Sequence, residues 1–104
     1  MADFNFREFY EKQIEFYKHD IEWCTKQIAW ETLMLEKYRK TDRELVEYVW
    51  SKGVVTKVEA RIFHKGYQSE DTKQTLKFRR KCYLWRKKSV KMLAEYEKKL
   101  EELK

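Results

Sequence analysis

The sequence predicts an all-α protein in which two long amphipathic helices form a helical hairpin or bundle with a short, helix-turn-helix-like head. Three observations predict this fold. The 104 residues include two glycines and no proline, where average usage would give about seven and about five. Capping residues stand before the long segments, and apolar residues recur within those segments at spacings of three and four. The length fits one domain over residues 1–104.

The first long, aromatic-rich helix is predicted over residues 5–40. Asn5 followed by Glu8 matches a reciprocal capping pattern at a helix start, and Thr41 followed by Glu44 repeats the pattern at the start of the next element. Apolar residues between these signals form a heptad seam of the coiled-coil type. The seam consists of Tyr10, Ile14, Tyr17, Ile21, Cys24, Ile28, Leu35 and Tyr38.

A row of aromatic residues lies about 100° round this helix from the tyrosines of the seam. We call it the aromatic row; it consists of Phe9, Phe16, Trp23 and Trp30. Two apolar rows make an arc wide enough for two neighbouring helices, inside a bundle or across a dimer. Aromatic stripes of this kind are usually core. Because the arc exceeds what one antiparallel partner can cover, we expect a homodimer through this helix. If the row is exposed in the single chain, it is an oligomer or partner interface and not core.

Short helices and turns are predicted over residues 41–68. A short helix from Thr41 ends at Gly53, which suits a left-handed turn. Residues 54–64 alternate like a strand but also carry apolar residues at helical spacing. No other segment offers a partner strand, so the pattern favours a third short helix, with a strand as the open alternative.

The last helix is predicted over residues 69–104, basic at first and then of mixed charge. Ser69 is a suitable capping residue, and Glu70 and Asp71 suit the positive first turn. The formal net charge of the chain is +6, and residues 53–104 hold fifteen basic and seven acidic residues. No acidic residue lies between Asp71 and Glu95, a stretch that contains nine lysines and arginines. Unpaired cations at this density indicate a polyanionic partner.

Seven of these cations fall on one side of the predicted helix, which we call the basic face. They are Lys73, Lys77, Arg80, Lys81, Lys87, Lys88 and Lys91. A major groove about 12 Å wide admits a helix, and lysine and arginine bind phosphates. The basic face therefore predicts a nucleic-acid-binding regulator, with duplex DNA favoured and RNA possible. The opposing side of the helix carries an apolar line, which consists of Phe78, Cys82, Trp85, Ser89, Leu93, Tyr96, Leu100 and Leu103. Arg79 and Arg86 border this line and are expected to direct their stems inward.

An alternative interpretation is a non-enzymatic interaction protein, such as a phage-type inhibitor, that binds an acidic protein surface or a protein–RNA complex. Catalysis is not expected, because the sequence has no glycine-rich phosphate loop and no nucleophile elbow. No cofactor or metal is expected either, since Cys24, Cys82, His19 and His64 lack zinc-ligand spacing. The two cysteines are expected to be buried free thiols. The absence of a signal peptide or apolar span predicts a cytoplasmic protein without a membrane partner.

The order of these elements resembles the sigma-factor region-four-like domain of small phage late-transcription regulators of the ArpU and RinA kind. The resemblance depends on the stretch Asp42–Trp50, on Ser69–Thr72 and on Arg79–Arg80–Lys81, and it covers residues 42 to about 91. Those regulators bind DNA through the helix that follows the second turn. The resemblance implies that Lys73, Gln74, Lys77 and Arg80 occupy groove-facing positions.

Overall fold

The computed structural model describes residues 4–53 and 67–103, and these residues form two long helices. Helix α1 spans Phe6–Ser51 and helix α2 spans Glu70–Glu102. The two helices pack against each other, and no strand occurs among the described residues. The predicted all-α class and helical hairpin are confirmed. The chain divides into two compact units, one formed by Met1–Ile28 with Arg80–Lys104 and the other by Ala29–Arg79.

In the first unit, α1 has a heptad repeat in which the seam positions face α2 and other positions face solvent. Ile14 and Cys24 of the predicted seam are buried, while Tyr17 is half-buried and stacks on Tyr96 of α2 with ring centroids 5.9 Å apart. On the solvent side, Glu8, Glu15 and Glu22 recur every seven residues, and each lies within 4.0 Å of a Lys or His four residues later. The seam stabilises the unit by burial, whereas exposed pairs of this kind contribute little.

In the second unit, a buried carboxylate of α1 accepts hydrogen bonds from the start of α2. Asp42 is 6% exposed, and its Oδ2 accepts hydrogen bonds from the Ser69 backbone N–H (3.2 Å) and from the Thr72 hydroxyl (2.7 Å). Ser69 Oγ in turn accepts the Thr72 N–H at 3.3 Å, so Ser69 caps α2 as predicted. The cap at Asn5 is also confirmed, because Asn5 Oδ1 accepts the Glu8 N–H at 3.0 Å.

The predicted helix boundary at Thr41 is wrong. Helix α1 continues without interruption to Ser51, and the Thr41 hydroxyl donates to the Lys37 carbonyl one turn earlier, at 3.2 Å. A capping pattern contributes only about 1 kcal/mol, and here unbroken helix keeps the adjacent Asp42 in register with α2. The predicted left-handed turn is present at Gly53, with φ +69°. The predicted elements over residues 54–66, including the helix-or-strand alternative, lie outside the described residues.

Both cysteines lie in the first unit as buried free thiols, as predicted. Burial is the main reason that the pKa of Cys24 is raised, and the nearby Asp20 carboxylate and Cys82 raise it further against a lowering effect of Arg86. A thiol that is buried and kept protonated is a poor nucleophile. The structure thus favours a packing role for Cys24.

The Asp42 carboxylate makes stability depend on pH. Burial alone would raise the pKa of Asp42, but hydrogen bonds from Thr72 and Ser69 outweigh burial and lower it. A carboxylate with a lowered folded-state pKa stabilises the fold above its unfolded pKa of about 3.9. This contribution is lost as pH falls through that value toward the folded-state pKa. We expect chemical denaturation between pH 6 and pH 3 to show a steeper loss of stability in the parent than in Asp42→Asn. Parallel pH profiles for the two proteins would contradict this role.

Candidate nucleic-acid interface

Helix α2 directs small and polar side chains toward α1. Four residues on this side are buried, and three of them are polar: Thr72, Thr75, Cys82 and Ser89. Their spacings of three, seven and seven place them along one side of the helix. In the first unit, the Ser89 hydroxyl donates to the Asp20 carboxylate of α1. Sequence periodicity had identified Cys82 and Ser89 on the apolar line but missed Thr72 and Thr75, since threonine gives no hydropathy signal.

Two of the nine cations in the acid-free stretch serve this contact between helices. Arg79 donates from Nη1 to Thr32 Oγ1 in the second unit, and Arg86 donates from Nη1 to Thr25 Oγ1 in the first, both at 3.3 Å. Both arginines are half-buried. The prediction that they direct their stems inward is confirmed, and the other seven cations are left for the opposite side of α2.

All eight predicted nucleic-acid contacts on α2 are exposed. They are Lys73, Gln74, Lys77, Arg80, Lys81, Lys87, Lys88 and Lys91. Among the ion pairs of the described residues, the basic face takes part in one, between Lys73 and Glu70 at 3.8 Å. Within the first unit, the face extends about 16 Å along the helix from Arg80 to Lys91. This arrangement presents a line of cations that is suited to a linear series of phosphates.

An apolar side chain lies within the basic face. Leu84 is 57% exposed and falls seven residues after Lys77 and seven before Lys91. Leu84 lines a shallow pocket together with Lys87 and with Tyr83 and Val90, which are also exposed. Leu84 is absent from the predicted contacts, although its heptad relation to the lysines is visible in the sequence. The basic face therefore offers apolar contact as well as charge.

The aromatic row on α1 lies on the surface. Its members are between 37% and 59% exposed, so the expectation that an aromatic stripe forms core is wrong for this row. The reason is geometric, since the row lies about 100° from the seam that faces α2. Exposure is the condition under which the row was predicted to be an oligomer or partner interface. The homodimer itself stays a prediction.

Trp85 of α2 is a further exposed aromatic residue, although its spacing placed it on the apolar line. Its side chain is 47% exposed, and its ring lies 6.3 Å from that of Trp23 between centroids, with the planes tilted by 36°. The pair borders a groove in the first unit of about 380 Å³, which is also lined by Tyr17, Asp20, Lys88 and Ser89. Helical periodicity predicts on which side of a helix a residue lies. It does not predict how much of a large ring on that side the partner helix covers.

Other kinds of site receive no support from the described residues. No group of three or more histidine, cysteine or acidic side chains there is arranged to hold a metal ion. Neither α1 nor α2 contains an apolar stretch long enough to cross a membrane. No protein-family model, curated protein or solved structure matches the chain. The resemblance to phage late-transcription regulators stays a prediction.

Burial predicts different consequences for two truncations on α1. Leu35 is 2% exposed, and Leu35→Ala is expected to lower the free energy of unfolding by about 3 kcal/mol. Trp23 is 45% exposed, and Trp23→Ala is expected to cost less than about half as much, because much of the ring is in water in either state. Urea denaturation of both variants measures the difference. A loss for Trp23→Ala equal to that for Leu35→Ala would mean that the indole is covered in solution.

Proposed function

We propose that this protein binds nucleic acid through the basic face of α2. The observation behind the proposal is that seven lysines and arginines project from one exposed side of a continuous helix that has no acidic residue between Asp71 and Glu95. Cations in such a line repel one another, and phosphates that replace their counterions relieve the repulsion. A regulatory role in transcription, of the kind that the resemblance implies, is the corresponding biological expectation.

The dimensions of the face support binding along a nucleic-acid backbone. The part of the face in the first unit, from Arg80 to Lys91, has a length of about 16 Å, which corresponds to about five base steps at 3.4 Å each. Helix α2 also begins at Glu70, so that Lys73, Gln74 and Lys77 occupy its first two turns. The first turns of a recognition helix are those that reach base edges in the helix-turn-helix proteins. Because residues 41–51 belong to α1, the proposal depends on α2 itself and not on a separate preceding helix at Thr41.

Binding through phosphates predicts a steep dependence on salt. Each phosphate contact contributes about −0.9 to the slope of log affinity against log salt for duplex DNA. We expect Lys77→Ala or Lys88→Ala to reduce the magnitude of this slope by about one and to leave the thermal unfolding midpoint nearly unchanged. Fluorescence anisotropy of a labelled random duplex at several salt concentrations measures both the affinity and its slope.

Two charge-reversed variants distinguish binding through the basic face from a general effect of net positive charge. Lys77→Glu, Arg80→Glu and Lys88→Glu together should abolish binding of duplex DNA and of RNA. The matched control carries the same change in net charge on α1, at the exposed residues Lys18, Lys37 and Lys40. If the basic-face variant binds duplex DNA and RNA as tightly as the parent does, nucleic-acid binding through this face is excluded. An acidic protein surface would then be the favoured partner.

A second candidate function, supported by the exposed aromatic row, is that of a protein-interaction module. Phe16 and Trp30 are each more than half exposed, and large apolar side chains in a regular row often mark a protein interface. The predicted homodimer through α1 is the simplest form of this function. It predicts a concentration-dependent dimer in sedimentation equilibrium that Phe16→Ala with Trp30→Ala dissociates without unfolding. A monomer throughout the micromolar range would exclude this dimer.

A further inference from the structure

We propose that the groove beside Trp23 and Trp85 binds the bases of single-stranded nucleic acid, while lysines of α2 hold its backbone. This inference rests on the proposed function and specifies the form of nucleic acid that the protein prefers. It concerns the first unit alone, to which both tryptophans and the residues of the groove belong.

The two indole rings provide flat apolar surfaces at an accessible site. Each keeps nearly half of its surface exposed, and the rings support each other at 6.3 Å between centroids. Bases of a single strand stack on exposed aromatic rings, and each such contact contributes about 1–3 kcal/mol. Bases inside a duplex are already stacked on their neighbours and do not present these faces. The tryptophan pair thus favours a single strand over a duplex.

The charge around the groove matches a polyanion. Lys88 lines the groove itself, and Lys81 lies one turn before Trp85 on the same side of α2. Both lysines are exposed and belong to the basic face. Aromatic rings beside cations are the combination that single-stranded nucleic-acid sites use, since the cations hold phosphates while the rings receive bases.

The polar side of the groove adds a preference among bases. Asp20 lines the groove and accepts a hydrogen bond from the Ser89 hydroxyl. An ionised carboxylate has about four acceptor positions, so Asp20 retains capacity for a second donor. The amino group of cytosine is such a donor to an acidic side chain. Thymine has no amino group, and its one ring N–H lies between two carbonyl oxygens that repel a carboxylate. The groove is therefore expected to prefer cytosine to thymine.

The residue beside Trp23 disfavours a second copy as the occupant of this groove, whereas Phe16 and Trp30 of the candidate dimer surface do not line it. A two-stranded helical seam needs apolar residues at two positions of each heptad. In the repeat that contains Trp23, the second of these positions is held by Asp20. A helix docked over Trp23 would bury the Asp20 carboxylate, whereas a nucleotide strand leaves it at a hydrated groove edge.

Binding of three labelled oligonucleotides tests the inference: a dC 12-mer, a dT 12-mer and a 12-base-pair duplex. The parent is expected to bind dC more tightly than dT. Trp85→Ala and Trp23→Ala should each weaken binding of dC by about fivefold or more and change duplex affinity by less than about twofold. Trp50→Ala is the matched control, because Trp50 is 47% exposed on α1, does not belong to the aromatic row and does not line the groove. Asp20→Asn should remove the preference for dC over dT. Circular dichroism and thermal unfolding verify that each variant is folded.

The outcomes distinguish this inference from the proposed function. Unchanged dC affinity in both tryptophan variants, with binding still abolished by the charge reversal at Lys77, Arg80 and Lys88, overturns the inference and leaves the proposed function intact. Absence of binding to all three oligonucleotides at low salt overturns both. A concentration-dependent dimer that Trp23→Ala dissociates assigns the surface to a second copy and also overturns the inference.

Discussion

The buried Asp42 carboxylate is the constraint from which much of the architecture follows. It accepts the Ser69 N–H and the Thr72 hydroxyl, and so fixes where α2 begins and which side of its first turn faces α1. Helical periodicity then determines which later residues of α2 share that side. A buried carboxylate without such partners would be strongly destabilising, so the interaction is also specific to one register. Helix α1 continues without interruption through Thr41 and carries the buried Asp42 one residue later.

The composition of the contact between the helices determines what reaches the surface. The most buried positions of α2 hold threonine, cysteine and serine, whereas the rings of Tyr83 and Trp85 stay exposed. Arg79 and Arg86 take part in the contact through hydrogen bonds to threonines of α1, which separates them from the other cations of the acid-free stretch. The seven that remain form the basic face. The packing of α2 on α1 thus places small and polar side chains on one side of α2 and leaves a high density of positive charge on the other side.

Charge and exposed aromatic surface together support the functional proposals. A basic helix alone attracts any polyanion, and an exposed aromatic ring alone suits many partners. In the first unit, Lys88 and the rings of Trp23 and Trp85 border one groove, and this combination favours the proposed ligand with both phosphates and flat apolar groups. Asp20 adds a hydrogen-bond acceptor at the same place. Every residue of a nucleotide strand combines charge with a stacking group, whereas an acidic protein surface would need aromatic side chains beside its carboxylates.

The sequence by itself determined the helical class, the caps at Asn5 and Ser69, the seam of α1, the turn at Gly53 and the exposure of the basic face. These features depend on local preferences and on a periodicity that every residue of a helix obeys. Tertiary structure alone decided three others. Asp42 became the hydrogen-bond partner of Ser69 and Thr72 at the start of a distant helix. Thr41 lies inside α1 and does not begin a new element. The aromatic row and Trp85 stayed exposed, because one partner helix covers a limited arc. Thr72 and Thr75 became buried through packing and, for Thr72, a distant hydrogen-bond partner, neither of which has a local signal in the chain.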